Sequence, residues 1–396
     1  MKLFERFGLG QQILEAIKRM GITTPTQIQD ESISHILKGK DVIGESATGS
    51  GKTLAFGCGI IEKVNPKEGL QALVLTPTRE LAEQVKDSLI QLSYQKSLGI
   101  LAVYGGVSIN TQIEKLQKTE VVIATPGRLL DHLERRTINL SKVKILVLDE
   151  ADRMFDMGFI DDVEKIIRFC PRERQTLFFS ATISSNIRGL ANRYMNNPVS
   201  VSAVKHVDAE KLKQVYYDVP KHMKFSLLVH LFQNEKSRLA MVFCNTRKTA
   251  DFVAKNLRVN KIKANIIHGG LSQNKRTNTI KSFNNNKDGI LICTDVASRG
   301  LHIDSVSHIY NYEIPKDSTD YIHRIGRTAR AGESGKVINL LCDYDHDNFS
   351  RIITNYRALT IEKVEKPNIR MVNVIKNDNP RQRLRFNRNP RARIFN

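Results

Sequence analysis

Short runs of consecutive apolar residues alternate with stretches of helical periodicity along most of the chain. Five such runs, at 41–44, 72–75, 121–124, 145–148 and 177–179, precede a second five at 239–243, 264–267, 289–293, 308–312 and 337–341. Unbroken apolar runs bounded by Gly, Pro and Asp mark strands covered on both faces, and helices between them make the sheets parallel. Two series therefore predict two α/β domains. At the entry, Ile13, Leu14, Ile17 and Met20 share one helical face, with Lys18 and Arg19 in the last turn and Gly21 as the stop. The next helix is predicted to open with Thr24 as N-cap, Pro25 at the first position and Gln27 at the third.

Residues 196–209 hold Asn-Asn-Pro and few large apolar side chains, which predicts a linker. It is set at 204–210, between a first domain at 1–203 and a second at 211–365. Residues 366–396 are rich in Asn, Arg and Pro and are expected to form a basic tail without fixed structure of its own. No apolar run approaches the ~18 residues of a membrane helix. The start, Met1 to Arg6, regains charge too soon for a signal peptide. Five scattered cysteines without a CxxC pair predict a reduced, cytoplasmic protein lacking disulfides and zinc. No coiled-coil heptads appear, and a monomer is expected, although the sequence does not reveal the oligomeric state.

Charge changes the picture. Lys and Arg number 61 against 41 Asp and Glu, a formal excess of +20. Nine basic residues and one acid, Asp378, fall within 366–396. Such an excess favours a polyanion, because bound Lys and Arg release counterions from phosphate backbones.

Ser46-Ala47-Thr48-Gly49-Ser50-Gly51-Lys52-Thr53 follows the first apolar run directly. A loop of this kind turns backbone N–H groups onto phosphate oxygens, and the next helix adds its positive dipole end. Lys52 would reach the β and γ phosphates and the Thr53 hydroxyl would bind Mg²⁺. Ser46 stands where the usual pattern has Gly, a small change. The run at 145–148 ends in Asp149-Glu150-Ala151-Asp152, where parallel sheets bind ligands. Asp149 would hold Mg²⁺ through water, and Glu150 would orient or deprotonate the attacking water.

That tetrad beside this loop resembles the DEAD-box RNA helicases, and the likeness continues in order over residues 4–345. It implies two tandem RecA-like domains, ATP and Mg²⁺ as cofactors, and single-stranded and duplex RNA as partners. Phe4 and Gln29 resemble the residues that stack on adenine and bond its edge. Pro77-Thr78-Arg79, Gly105-Gly106 and Thr125-Pro126-Gly127-Arg128 resemble the first domain's RNA contacts. Ser180-Ala181-Thr182, with Asp152 and His323, resembles the elements that couple hydrolysis to unwinding. Asn245, Gly269, Gln273, Arg276 and Thr294 resemble the opposite RNA wall. Arg327 and Arg330, three apart and placed on one helical side, resemble arginine fingers. The chain departs at His302, where the family has an Asp credited with a ribose contact; His302 is expected to donate to the same oxygen. Ala329 stands where Gly is common. The implied activity is an ATP-dependent RNA helicase that separates short duplexes locally as two domains close on one strand. The same motifs would serve an ATP-gated RNA clamp or annealing protein, and paired domains also build DNA helicases.

Overall fold

The computed structural model describes residues 2–47, 49–203, 212–235, 237–286, 288–295, 303, 306–329, 334–357 and 359–375. Between residues 203 and 212 the chain divides into two compact units. The expected linker, Thr48, His302 and Arg330 lie outside the described residues.

The first unit holds β1 (Val42–Glu45), β2 (Ala72–Leu75), β3 (Ile100–Val103), β4 (Val121–Ala124), β5 (Ile145–Asp149), β6 (Gln175–Ser180) and β7 (Val199–Ser202). All pair in parallel, in the order β3-β4-β2-β5-β6-β1-β7. Side chains alternate between two cores. Val42, Val74, Ile123, Val147 and Phe179 pack with Ile28, Ile33 and Phe56 on one face. Ile43, Leu73, Val122, Leu146 and Phe178 pack with Leu129, Ile166 and Leu190 on the other. Because both faces are covered, the middle positions of these inner strands are apolar, and polar residues such as Glu45, Asp149, Gln175 and Ser180 stand at strand ends.

The second unit repeats the plan with β8 (Leu212–Asp218), β9 (Leu239–Cys244), β10 (Asn265–Ile267), β11 (Gly289–Thr294), β12 (Val306–Asn311), β13 (Gly335–Leu341) and β14 (Glu362–Lys363), in the order β10-β11-β9-β12-β13-β8-β14. Two parallel sheets flanked by helices are what the apolar runs predicted.

Three expectations need correction. Residues 199–202, placed in the linker region, form β7: an edge strand touching only β1, it alternates Val and Ser instead of running apolar. The second helix starts later than expected, at Gln27 with Thr26 as N-cap, because Gln29 Oε1 accepts the Thr26 N–H at 3.0 Å. Residues 369–375, assigned to the tail, are held on the second unit. Ile369 and Val372 pack against its core, and the Asn256 amide bonds Ile375 N at 2.6 Å and Ile375 O at 3.2 Å.

Candidate functional site

Strand register assembles the first site. Glu45 pairs with Ser180, and Asp149 lies beside Phe179, so the carboxyl ends of β1, β6 and β5 stand side by side. Past β1, Gly49 (φ +82°) and Gly51 (φ +91°) take left-handed turns open to glycine. A Cβ on Gly51 would come within 2.2 Å of Gln29 Nε2. That close approach is a hydrogen bond: Gln29 Nε2 donates to Gly51 O at 3.0 Å. Gln29 therefore ties the loop to the helix Gln27–Leu37, one end of its amide capping the helix and the other gripping the loop.

Lys52 opens the helix Lys52–Lys63 and folds back over the loop, donating to Ser46 O at 2.8 Å and Ala47 O at 3.3 Å. Ser50 Oγ bonds Ser46 Oγ at 2.8 Å. A cavity of about 190 Å³ opens here, lined by Gln29, Gly51, Thr53, Asp149 and Glu150. Its apolar wall includes Met20 and Ile22, which the sequence reading passed over. Phe4 is not among the lining residues. It is 2% exposed in the core, edge-on to Phe7 with ring centroids 6.0 Å apart.

Asp149 is buried, and its carboxyl accepts Glu150 N at 3.0 Å. Burial pushes its pKa up to about 7, against the pull of Lys52. An acid protonated more readily in the folded than in the unfolded chain stabilises the fold fully below the ordinary value of 3.8. That contribution is lost progressively up to about pH 7 and then stays lost. Asp149→Asn, free of this loss, should unfold at higher urea than wild type at pH 8, by on the order of 2 kcal/mol, with the gap shrinking toward pH 4. A gap independent of pH would contradict this reading of the carboxyl.

Glu150 sits in the left-handed region (φ 54°, ψ 50°) as N-cap of the helix Ala151–Asp156. Non-glycine residues are held there at a cost, often at functional sites. Its Oε2 accepts from Arg153 Nη1 at 2.9 Å, with both side chains under 5% exposed. Arg153 carried no motif signal, yet it aims the carboxylate. Asp152 is the junction to β6. Its N donates to Ser180 Oγ at 3.1 Å, and its Oδ2 accepts from Ala181 N, Thr182 N and Thr182 Oγ1 at 3.1, 3.0 and 3.3 Å.

On the first unit, three separated motifs converge. Thr78 caps the helix Arg79–Leu92, and Thr125 precedes the helix Pro126–Glu134 with Pro126 in its first turn. A Cβ on Gly106 (φ +88°) would lie 2.1 Å from Arg79 Nη1, and one on Gly105 would lie 3.4 Å from Arg79 Nη2 and 4.0 Å from Arg128 Nη2. The guanidinium groups of Arg79 and Arg128, which follow Pro77-Thr78 and Gly127 in sequence, thus meet at the Gly105–Gly106 turn.

On the second unit, Gln273 and Arg276 share the helix Gln273–Asn285 and Thr294 ends β11. Gly269 adjoins Arg247, whose Nη2 would lie 2.9 Å from an added Cβ. Arg247 was missed, although it opens a helix directly after Asn245-Thr246. Asn245 itself is engaged internally: Nδ2 donates to Ile314 O at 2.8 Å and Oδ1 accepts from Arg324 Nη2 at 2.9 Å. The helix Ser318–Ile325 carries His323 but stops before Arg327, so the expected helical placement of Arg327 is corrected. Arg327 N bonds Arg324 O in a turn, and its side chain is 2% exposed. Ala329 lies at φ 54°, a conformation costing an alanine roughly 1–2 kcal/mol and explaining why glycine suits it.

A glycine loop, an inward lysine and a strand-end carboxylate pair at the ends of parallel strands define a nucleoside-triphosphate-binding protein. Residues 26–190 match the family model for DEAD/DEAH box helicases, and residues 223–332 that for the helicase conserved C-terminal domain. The chain is 46% identical to the DEAD-box ATP-dependent RNA helicase CshA of Geobacillus kaustophilus, over 86% of this chain and 74% of that one. It is 45% identical to the ATP-dependent RNA helicase CshA of Listeria monocytogenes, over 86% and 66%. Among solved structures it resembles S. cerevisiae Dbp5 bound to RNA and ADP BeF3, with a TM-score of 0.84 and 31% identity over 92% of this chain and 96% of that one. The chain belongs to the DEAD-box RNA helicase family, with its tandem RecA-like domains, and spans two thirds to three quarters of the length of those two bacterial relatives.

Proposed function

We propose that this chain is an RNA-stimulated ATPase that uses ATP to separate short RNA duplexes locally. The observation that carries it is the junction at β1, β5 and β6, where Lys52, Asp149, Glu150 and the Asp152–Ser180–Thr182 network meet. ATP is gripped by the loop at 46–53, with Lys52 leaving its carbonyls for the β and γ phosphates. Met20 and Ile22 supply apolar wall for the base beside Gln29. A buried carboxyl short of donors suits a hard cation, so the Thr53 hydroxyl and Asp149 are the groups that would hold Mg²⁺ among phosphate oxygens and water. That ion would neutralise phosphate charge. Glu150, steered by Arg153, positions the attacking water. Asp152 links the nucleotide side to Ser180 and Thr182, and so to the RNA side.

Arg79, Arg128, Pro77, Thr78, Thr125, Gly127 and the Gly105–Gly106 turn receive sugar-phosphate. Gly269, Gln273, Arg276 and Thr294 form the second wall, and Asn245 supports it through Arg324. Backbone contacts explain loose sequence preference, and 2′-OH contacts favour RNA. Closure of the two domains on one strand supplies Arg327 and Arg330 to the γ-phosphate, with His323 coupling the two events. The protein acts in the cytoplasm, in line with five buried cysteines that are all thiols, and as a monomer. Separation of a labelled short RNA duplex with ATP tests the proposal.

A further inference from the structure

Behind the arginine cluster of the first unit runs a buried polar chain that no motif contains. His132, in the helix Pro126–Glu134, is 0% exposed. Its Nε2 lies 3.0 Å from Gln112 Oε1, and its Nδ1 lies 2.8 Å from the Thr137 hydroxyl. Gln112 is also buried, and its Nε2 donates to Tyr104 O at 3.1 Å, which fixes which end of the amide faces His132. The outer end of the chain is Arg128, whose side chain is 14% exposed. Its Nη1 donates both to Gln112 Oε1 at 3.0 Å and to Val107 O at 3.1 Å, while Asp131 Oδ2 lies 3.7 Å from Nε.

The proton positions follow. An amide oxygen only accepts, so the proton sits on His132 Nε2, and Nδ1 faces the Thr137 hydroxyl, which also donates to His132 O at 3.1 Å. Burial and then the Arg128 charge hold the imidazole pKa below its usual value, which keeps this neutral tautomer. One buried oxygen thereby accepts two N–H groups, and the Nη2 end of Arg128 is left on the Gly105 side.

We propose that His132 is a positioning residue for RNA binding: through Gln112 it presets the Arg128 guanidinium against the Gly105–Gly106 turn. The inference rests on the reading of Arg128 as an RNA contact. A long cation ordered before its ligand arrives loses less freedom on binding, and affinity gains accordingly. The competing possibility is that the chain merely satisfies buried polar atoms.

ATP turnover of the full chain, titrated with single-stranded oligouridylate, separates the two. His132→Leu should raise the half-saturating RNA concentration about five- to tenfold while kcat at saturating RNA and KM for MgATP stay within about twofold. His132→Gln, whose amide can supply the lost donor, should restore RNA affinity. Thr137→Val, which frees the tautomer without emptying the site, should move it in the same direction by less. Unchanged RNA affinity in His132→Leu overturns the proposal, as does a parallel loss of kcat, MgATP affinity and RNA affinity, or a folded His132→Gln that fails to rescue. Wild-type turnover indifferent to RNA would instead refute the RNA reading, and this proposal with it.

Discussion

Glu150→Gln should lower RNA-stimulated ATP turnover by about 10²–10⁴, the usual range for losing a positioned general base. The substitution keeps the shape of the side chain. Its amide oxygen can still accept from Arg153, which now meets Oε2 at 2.9 Å, so the left-handed residue and the helix Ala151–Asp156 should stay in place. What disappears is the negative charge and basicity beside the attacking water. ATP and RNA binding should survive, because Lys52, Thr53, Asp149 and the arginine cluster are untouched. Steady-state turnover at saturating RNA, with nucleotide affinity measured in parallel, checks both halves. Turnover within threefold of wild type would remove Glu150 from the chemistry.

The second large effect lies in the other unit and concerns stability. Arg324 is 1% exposed, and all five of its N–H groups are used. Nε and Nη2 donate to the two Asp295 oxygens at 2.6 Å each, and Nη1 donates to Asn311 Oδ1 at 3.0 Å and Glu313 O at 2.6 Å. Nη2 also reaches Asn245 Oδ1 at 2.9 Å. One guanidinium thus ties together the carboxyl ends of β9, β11 and β12, and it stacks 5.0 Å over the Phe243 ring. Arg324→Met would take the guanidinium away from Asp295 and from two amide oxygens, costing about 3–5 kcal/mol as for other broken buried pairs. Hydrogen exchange reads this by region. Amides of β9, β11 and β12 should lose about 10²–10⁴ in protection, while β1, β5 and β6 keep theirs. Equal protection in both proteins would show that Arg324 is not the clasp.

Most of the inner fold was legible because a strand covered on both faces is apolar through its middle. The runs at 72–75 and 121–124 match β2 and β4 residue for residue. The edge strand β7 escaped notice because it alternates Val and Ser, and β8 because the exposed Lys213 and Asp218 bracket its buried positions. The loop at 46–53 and the tetrad at 149–152 were legible because phosphate and water chemistry restrict residue type and spacing. Supporting residues were not. Arg153, Arg247, Arg324 and His132 act through partners distant in sequence or through one turn of geometry, and a charged or aromatic side chain on a helix reads first as surface. Gln29 was found for its expected contact with a base, yet its observed bonds to Thr26 and Gly51 depend on a tertiary approach that spacing does not encode.

The central claim is that ATP is spent on parting RNA strands. Its most direct test mixes the wild-type chain with a short RNA duplex carrying a label on one strand, with ATP, with ADP and without nucleotide. The account predicts release of the labelled strand with ATP alone, and none from Glu150→Gln within the time of a single wild-type turnover. A duplex that stays paired while RNA-stimulated ATP hydrolysis proceeds would contradict it and leave a clamp in its place.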